Sequence, residues 1–205
     1  MNTSYGPDIT DLIDALPAVT ETELRDLHGR LADSADAQQV LDVAYRTLDT
    51  PVGTLLLAAT VNGLVRVAFE TEGHDKVLQS LADRVSPRIL NTPKRLDVAA
   101  REIDEYFGGA RQHFDLPLDF RLTTGFRRQI LAHLSDIGYG QTASYGSVAA
   151  AAGSPKAVRA VGTACANNPL PVVVPCHRVV RSDGSLGGYL GGLAAKQLLL
   201  TMEAA

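Results

Sequence analysis

The residues best suited to chemistry in this 205-residue chain lie in one stretch, Asn168-Pro169-Leu170-Pro171-Val172-Val173-Val174-Pro175-Cys176-His177-Arg178-Val179-Val180. Prolines frame an apolar valine run, so the backbone arriving at Cys176 is stiff and buried. A cysteine attacks as the thiolate, and a neighbouring imidazole or cation lowers its pKa. His177 is the candidate base. Adjacent side chains on an extended strand point to opposite faces, so pairing Cys176 with His177 requires a turn at Pro175-Cys176 or a bridging water. A second cluster, Gly187-Gly188-Tyr189-Leu190-Gly191-Gly192, lacks the Lys-Ser/Thr of a phosphate loop and opens no nucleotide-binding unit. Its glycines would let the backbone close on a planar ligand. The other cysteine, Cys165, has no adjacent histidine and reads as a small core residue.

The elements that must position these groups fall into three regions. Residues 1–40 read as an acidic helical extension. Ile9, Leu12, Ile13 and Leu16 share one helical face. Thr20-x-x-Glu23 is a capping box opening a second helix with Leu24, Leu27 and Leu31 on its inner stripe. Residues 41–120 read as an α/β unit. Strands are expected at Val43 to Thr47, Thr54 to Ala59 and Leu64 to Phe69, with a hairpin turn at Asn62-Gly63. Two helices follow, one burying Val77, Leu81 and Val85, the other burying Leu96, Ala99, Ile103 and Phe107 and stopping at Gly108-Gly109. Phe114 to Phe120 adds an edge strand or a linker, since Pro117 cannot sit inside a sheet.

Residues 121–205 form the last region. A helix carries Phe126, Ile130, Leu134 and Ile137 on one face. A short helix follows from Tyr145 to Ala152, then Gly153, then a helix from Pro155 to Ala166, for which Ser154-Pro155 is a suitable start. Helix, glycine turn, helix describes a helix-turn-helix, and equally an ordinary helical hairpin.

Composition narrows the function. No apolar run approaches the ~20 residues of a membrane span, and the acidic N-terminus is unlike a signal peptide. Two cysteines and five scattered histidines give neither a disulfide framework nor zinc spacing. A cytoplasmic protein with free thiols, no metal and no membrane partner is expected. The net charge of −4 hides an asymmetry. Residues 121–205 hold eight basic and three acidic residues, and residues 1–120 hold 11 and 20. A basic half suggests a polyanionic partner.

From Tyr139 to Glu203 the chain resembles the O6-alkylguanine-DNA alkyltransferase family. The resemblance is carried by Tyr139-Gly140, Ser144-Tyr145-Gly146, Ala157-Val158-Arg159-Ala160-Val161-Gly162 and Asn168-Pro169. It continues through Pro175-Cys176-His177-Arg178-Val179-Val180, Gly187-Gly188-Tyr189-x-Gly191-Gly192, and Lys196 with Leu199-Leu200 before Glu203. The preceding α/β unit is similar to the family's ribonuclease-like domain. The implied fold is α+β: a small ribonuclease-like α/β domain, then a mostly helical, winged-helix-like DNA-binding domain.

The resemblance implies a role for each matching residue. Cys176 would accept an alkyl group from O6 of guanine, or O4 of thymine, in double-stranded DNA, once per molecule, in a protein that is monomeric and needs no cofactor. His177 would take the thiol proton through a water, Glu203 would orient the imidazole, and Asn168 would fix the active-site turn. Tyr145 would assist the leaving base. Arg159 would fill the gap left by the rotated nucleotide, with Ala157 and Ala160 smoothing the approach to the minor groove. Tyr189, Gly187, Gly188, Leu190 and Val179 would wall the guanine pocket, and Arg127 and Arg128 would contact phosphates. The chain departs from the family at Arg127, Leu131, Gly138 and Met202, and at Leu190, a pocket position that can be Ser or Ala elsewhere. A lesion-sensing DNA-binding protein without transfer activity, and a Cys-His hydrolase, are the competing readings. The first would lack the nucleophile, and the second leaves the basic helix-turn-helix without a purpose.

Overall fold

The computed structural model describes residues 19–204. The chain divides into two units, the first ending at Gln39 and the second starting at Val40.

In the first unit, helix α1 spans Glu21–Ala37 and opens on Thr20. The Thr20 Oγ1 accepts from the Glu23 amide at 3.2 Å, and the Glu23 carboxylate accepts from the Thr20 amide at 2.8 Å, a reciprocal capping box. The apolar stripe is not inward. Leu24, Leu27 and Leu31 are 57%, 54% and 55% exposed, and the residues α1 buries are Ala32 and Ala35. The earlier expected helix face at Ile9, Leu12, Ile13 and Leu16 lies outside the described residues.

The second unit begins with a four-stranded sheet of order β3-β2-β1-β4. Strands β1 (Val43–Leu48), β2 (Leu55–Thr60) and β3 (Gly63–Phe69) run antiparallel, and β4 (Ile89–Asn91) adds parallel to β1. Every residue of β2 is buried, so both faces of the sheet are covered, as its continuous Leu-Leu-Leu-Ala-Ala run demands. Gly63 is required by close approach as well as by the turn. Its φ is +128°, and a Cβ there would lie 2.1 Å from the Pro117 carbonyl oxygen. That contact exists because the Pro117 segment runs along the β3 edge. The Leu64 amide donates to the Pro117 carbonyl and the Asp119 amide to the Leu64 carbonyl, both at 2.8 Å. Proline lies on an edge where no amide is needed.

Helix α2 (His74–Arg84) buries Val77 and Leu81 against Val43, Leu56, Ala58, Val65 and Ala68, with Val85 partly buried beside them. Helix α3 (Asp97–Phe107) buries Ala99, Ile103 and Tyr106, preceded by buried Leu96. Phe107, the expected inward residue, is only half-buried. Positions i+3 and i+4 from Ile103 are both near the inner face, and it is Tyr106 that is fully covered.

The remaining helices are α4 (Gly125–Leu134), α5 (Tyr145–Ala151), α6 (Val158–Ala166) and α7 (Gly192–Glu203). Strands β5 (Ala143–Ser144) and β6 (Val179–Val180) pair in parallel. The fold is thus α+β. Gly153, at φ +73°, turns the chain between α5 and α6. Helix α6 starts at Val158, not at Pro155. The Ala157 amide closes a separate turn onto the Ser154 carbonyl at 2.8 Å, and Ala157 stands at the helix cap without a side-chain bond. No helix among the described residues is long and apolar enough to cross a membrane.

Candidate active site

The turn that Cys176 and His177 require is present. The Cys176 amide donates to the Val174 carbonyl at 2.8 Å across Pro175, whose φ and ψ are −81° and 62°, an inverse γ-turn. A 3-10 turn, Cys176–Arg178, follows at once, so Cys176 and His177 leave extended geometry together. Upstream, Val172 has φ +72°, an outlying conformation for a β-branched residue. Asn168 ties the bend closed. Its Nδ2 donates to the Val174 carbonyl at 2.8 Å and to Cys176 Sγ at 3.2 Å, while its Oδ1 accepts from the Leu170 amide at 3.0 Å.

His177 is buried, and its Nε2 lies 2.9 Å from Glu203 Oε1. With Nε2–H donating to the carboxylate, Nδ1 carries the lone pair, and it makes no hydrogen bond among the described residues. Glu203 is reached by more than the imidazole. Arg178 grips both oxygens, Nε to Oε2 and Nη2 to Oε1, each at 2.9 Å. The Tyr106 hydroxyl donates to Oε1 at 2.6 Å, and the Gly140 amide to Oε2 at 3.3 Å. Gly140 has φ +70°, and a Cβ there would lie 2.8 Å from the Glu203 carbonyl oxygen, which explains the glycine in Tyr139-Gly140.

These surroundings set the charge states. Burial would raise the Glu203 carboxyl, yet the bonds from His177 and Arg178 bring it down to about 2. Burial pushes His177 below its ordinary value against the pull of Glu203. Burial pushes the Cys176 thiol up to about 11, opposed by the Asn168 bond and the Lys196 charge. The resting site is therefore a neutral thiol beside a neutral imidazole. The basic neighbours expected to lower the thiol are present, but burial outweighs them. Lys196 is itself buried, its Nζ donating to the Val179 carbonyl at 2.6 Å.

The β5–β6 pairing brings Tyr145 to the same place, because Ser144, which caps α5, lies opposite Val180. Tyr145 then packs so closely on Gly187 that a Cβ there would lie 2.2 Å from its hydroxyl. Tyr189 stands edge-on to His177 (centroids 6.3 Å apart) and to Phe69 (5.5 Å). A Cβ on Gly191 would lie 2.6 Å from the Phe69 ring, so the glycine loop rests on the last residue of β3.

The family models match at these two halves. The ribonuclease-like domain of 6-O-methylguanine DNA methyltransferase matches residues 43–120, and its DNA-binding domain matches residues 125–205. The chain belongs to the 6-O-methylguanine DNA methyltransferase family. The methylated-DNA–protein-cysteine methyltransferase of Mycolicibacterium paratuberculosis is 37% identical over 161 residues, covering 78% of this chain and 92% of that one. The constitutive enzyme of Bacillus subtilis is 37% identical over 163 residues, covering 78% and 94%. The crystal structure of Mycobacterium tuberculosis O6-methylguanine methyltransferase matches with a TM-score of 0.70 at 36% identity, covering 79% of this chain and 93% of that one. A Mycobacterium tuberculosis OGT structure in complex with DNA matches with a TM-score of 0.68 at 36% identity, covering 78% and 92%.

Among the family residues singled out in the sequence, Asn168 is bonded to Cys176 and His177 to Glu203, two pairs joined by the chain at Cys176-His177. Tyr145 with Gly187, and Tyr189 with His177, pack beside them, and Val179 joins through Lys196. Gly188 is exposed in the same loop. Arg159 is exposed on α6, with Ala157 and Ala160 half-buried beside it. Arg127 and Arg128 are exposed on α4. The Arg128 guanidinium sits 5.8 Å from the centre of the Phe120 ring. Leu190 lines a groove of about 280 Å³ with Arg66, Lys76, Arg84, Arg127 and Asn168. Sequence reasoning missed Tyr106 and Phe69, from the first domain, and gave Arg178 no role. For Arg178 the signal was its place beside His177.

Proposed function

We propose that Cys176 is the acceptor in the family's reaction, the direct reversal of DNA alkylation by transfer from O6 of guanine to a cysteine of the protein. The observation that carries this reading is the buried His177–Glu203 pair directly after buried Cys176 in the chain, which leaves His177 Nδ1 as the ring nitrogen able to receive a proton. The protein acts as a methylated-DNA–protein-cysteine methyltransferase on DNA, and duplex containing O6-alkylguanine is its substrate. The O6 substituent lies within the base stack, so the target nucleotide rotates out to reach a buried thiol. Arg159, on the exposed side of α6, fills the space it leaves, while Arg127 and Arg128 meet phosphates.

In the transfer, the Cys176 proton passes through a bridging water to His177 Nδ1, and Glu203 stabilises the imidazolium as it forms. Lys196 and the Asn168 amide favour the emerging thiolate. The sulfur forms a bond to the alkyl carbon as the carbon–O6 bond breaks, and the electron pair goes to the guanine. Tyr145 is held protonated by burial and donates to the departing base. Tyr189, Gly187, Gly188, Leu190 and Val179 bound the pocket. The product is a thioether, so one molecule removes one lesion.

Intact-mass measurement after mixing with O6-methylguanine duplex tests this. A stoichiometric gain of one methylene unit mapped to Cys176 is expected, and none in Cys176→Ser with duplex binding retained. A gain at any other residue refutes the assignment. A competing lesion-sensing role without transfer is not favoured, because Cys176 is present and the curated relatives are named as methyltransferases.

A further inference from the structure

We infer that Tyr106, contributed by the ribonuclease-like domain, is a positioning residue of the relay: its hydroxyl holds Glu203 Oε1 and thereby sets how readily His177 takes a proton. The inference rests on the reading of His177 as the base in the transfer.

Oε1 is the oxygen that His177 Nε2 uses, at 2.9 Å, and the Tyr106 hydroxyl meets the same atom at 2.6 Å. Both side chains are buried, so no solvent competes for that oxygen and each donor bears on the other. A hydroxyl bond to a carboxylate withdraws charge from it and makes it a weaker base. Tyr106 therefore has two effects. It fixes the direction in which Oε1 presents itself to the imidazole, and it reduces the negative potential felt at His177.

The charged and titratable groups around the pair are few enough to name. Glu203 is met by Tyr106 from α3, by Arg178 from the Cys176–Arg178 turn, by the Gly140 amide from the loop after α4, and by His177. His177 further feels Arg178 and, from α7, Lys196. The Tyr189 ring stands edge-on to the imidazole, 6.3 Å between centroids. Arg178 holds the carboxylate against its own charge, so Glu203 stays ionised whether or not Tyr106 is present. What the hydroxyl alters is the share of that charge left for His177.

The ring of Tyr106 has its own reasons to stay in place. It packs against Phe107, Phe114 and Tyr139 at centroid distances of 5.3, 5.2 and 6.2 Å. None of these contacts needs the hydroxyl, so Tyr106→Phe removes one bond and leaves the packing.

The test measures transfer from the free base analogue O6-benzylguanine to the full chain across pH 5–9, read as adduct at Cys176, together with NMR titration of the His177 ring in the same proteins. In Tyr106→Phe the relay carboxylate gains negative character, the imidazolium is better stabilised, and His177 titrates about half a unit to one unit higher. The acid limb of the transfer rate moves up by the same amount, so below that limb the rate falls about three- to tenfold. Tyr139→Phe is the control. Its hydroxyl donates to the Met202 carbonyl at 3.4 Å, away from the Glu203 carboxylate, and its limb stays at the wild-type position. A Tyr106→Phe titration that is unmoved, or moved downward, overturns the inference, as does an equal shift in Tyr139→Phe. Loss of stability or amplitude without a change in the limb means that the hydroxyl only packs, and overturns it too. Should the wild-type chain form no adduct, the transfer reading fails, and the His177 titration still decides the role of Tyr106.

Discussion

Replacing Gly187 by alanine adds one methyl group at a place where the structure states the cost. The Cβ would stand 2.2 Å from the Tyr145 hydroxyl and 3.0 Å from two ring carbons, with no backbone atom among the nearest neighbours. Gly187 is absent from the left-handed residues, so alanine fits its backbone and the strain falls on the Tyr145 ring. An ordinary contact begins near 3.4 Å, so the hydroxyl must retreat by roughly 1 Å. A displacement of about 1 Å in a group that acts on the reacting atoms costs on the order of a hundredfold in rate, or about 2.7 kcal/mol. The assay is single-turnover transfer from O6-methylguanine duplex, with thermal unfolding as the check that the fold survives. Transfer should slow on the order of a hundredfold, while stability changes by under about 1.5 kcal/mol, because Tyr145 is only half-buried and free to swing. In a Tyr145→Phe background the same alanine should cost far less, since the two residues act through one contact. Wild-type transfer by Gly187→Ala, or full additivity of the pair, would refute the placement of Tyr145 at the leaving base.

Acid should unfold the protein through the relay. Glu203 has a folded pKa of about 2 against an ordinary 4.5, so the stability it supplies is complete above about pH 4.5 and drains away as pH falls toward 2. His177 is depressed below 6.5 by burial, and it removes stability from pH 6.5 downward as the unfolded chain takes up the proton first. Urea midpoints between pH 3 and 8 should fall in both windows. Glu203→Gln should flatten the lower window and cost about 3–5 kcal/mol at neutral pH by leaving Arg178 buried without its counter-charge; an unchanged pH profile in that variant would contradict the account. Arg159→Ala should slow repair of duplex more than transfer from O6-benzylguanine, and equal slowing of both would remove its role in holding the extruded state.

Much of this was legible in the sequence because local pattern and tertiary demand agree. The all-apolar run of β2, the proline-framed approach to Cys176 and the Thr20-x-x-Glu23 box each have a short-range cause, and each appears where its cause predicts. The departures share another cause, which is competition settled at long range. Tyr106 and Phe107 are both near the inner face of α3, and partners distant in sequence, the Tyr139 ring and the Glu203 carboxylate, meet the tyrosine. Ser154-Pro155 suits a helix start, yet a separate turn takes those residues and α6 begins at Val158. A leucine stripe on α1 implies an inner face, but the stripe is exposed. The state of the Cys176 thiol was the least readable feature. Neighbouring types predicted a lowered thiol pKa, whereas the depth of burial that raises it is a property of the whole fold.

The Asn168-Pro169 turn is tied to β3 at several points. The Val67 amide donates to the Pro169 carbonyl at 2.8 Å, and Arg66 Nη1 reaches the carbonyls of Asn168 and Pro169 at 3.4 and 3.2 Å. Exchanging one half of this chain with the matching half of a relative would therefore not be an exchange of modules. A graft of residues 125–205 onto a foreign partner inherits Cys176 but not the scaffold that seats its surroundings, unless residues equivalent to Arg66, Phe69 and Tyr106 travel with it.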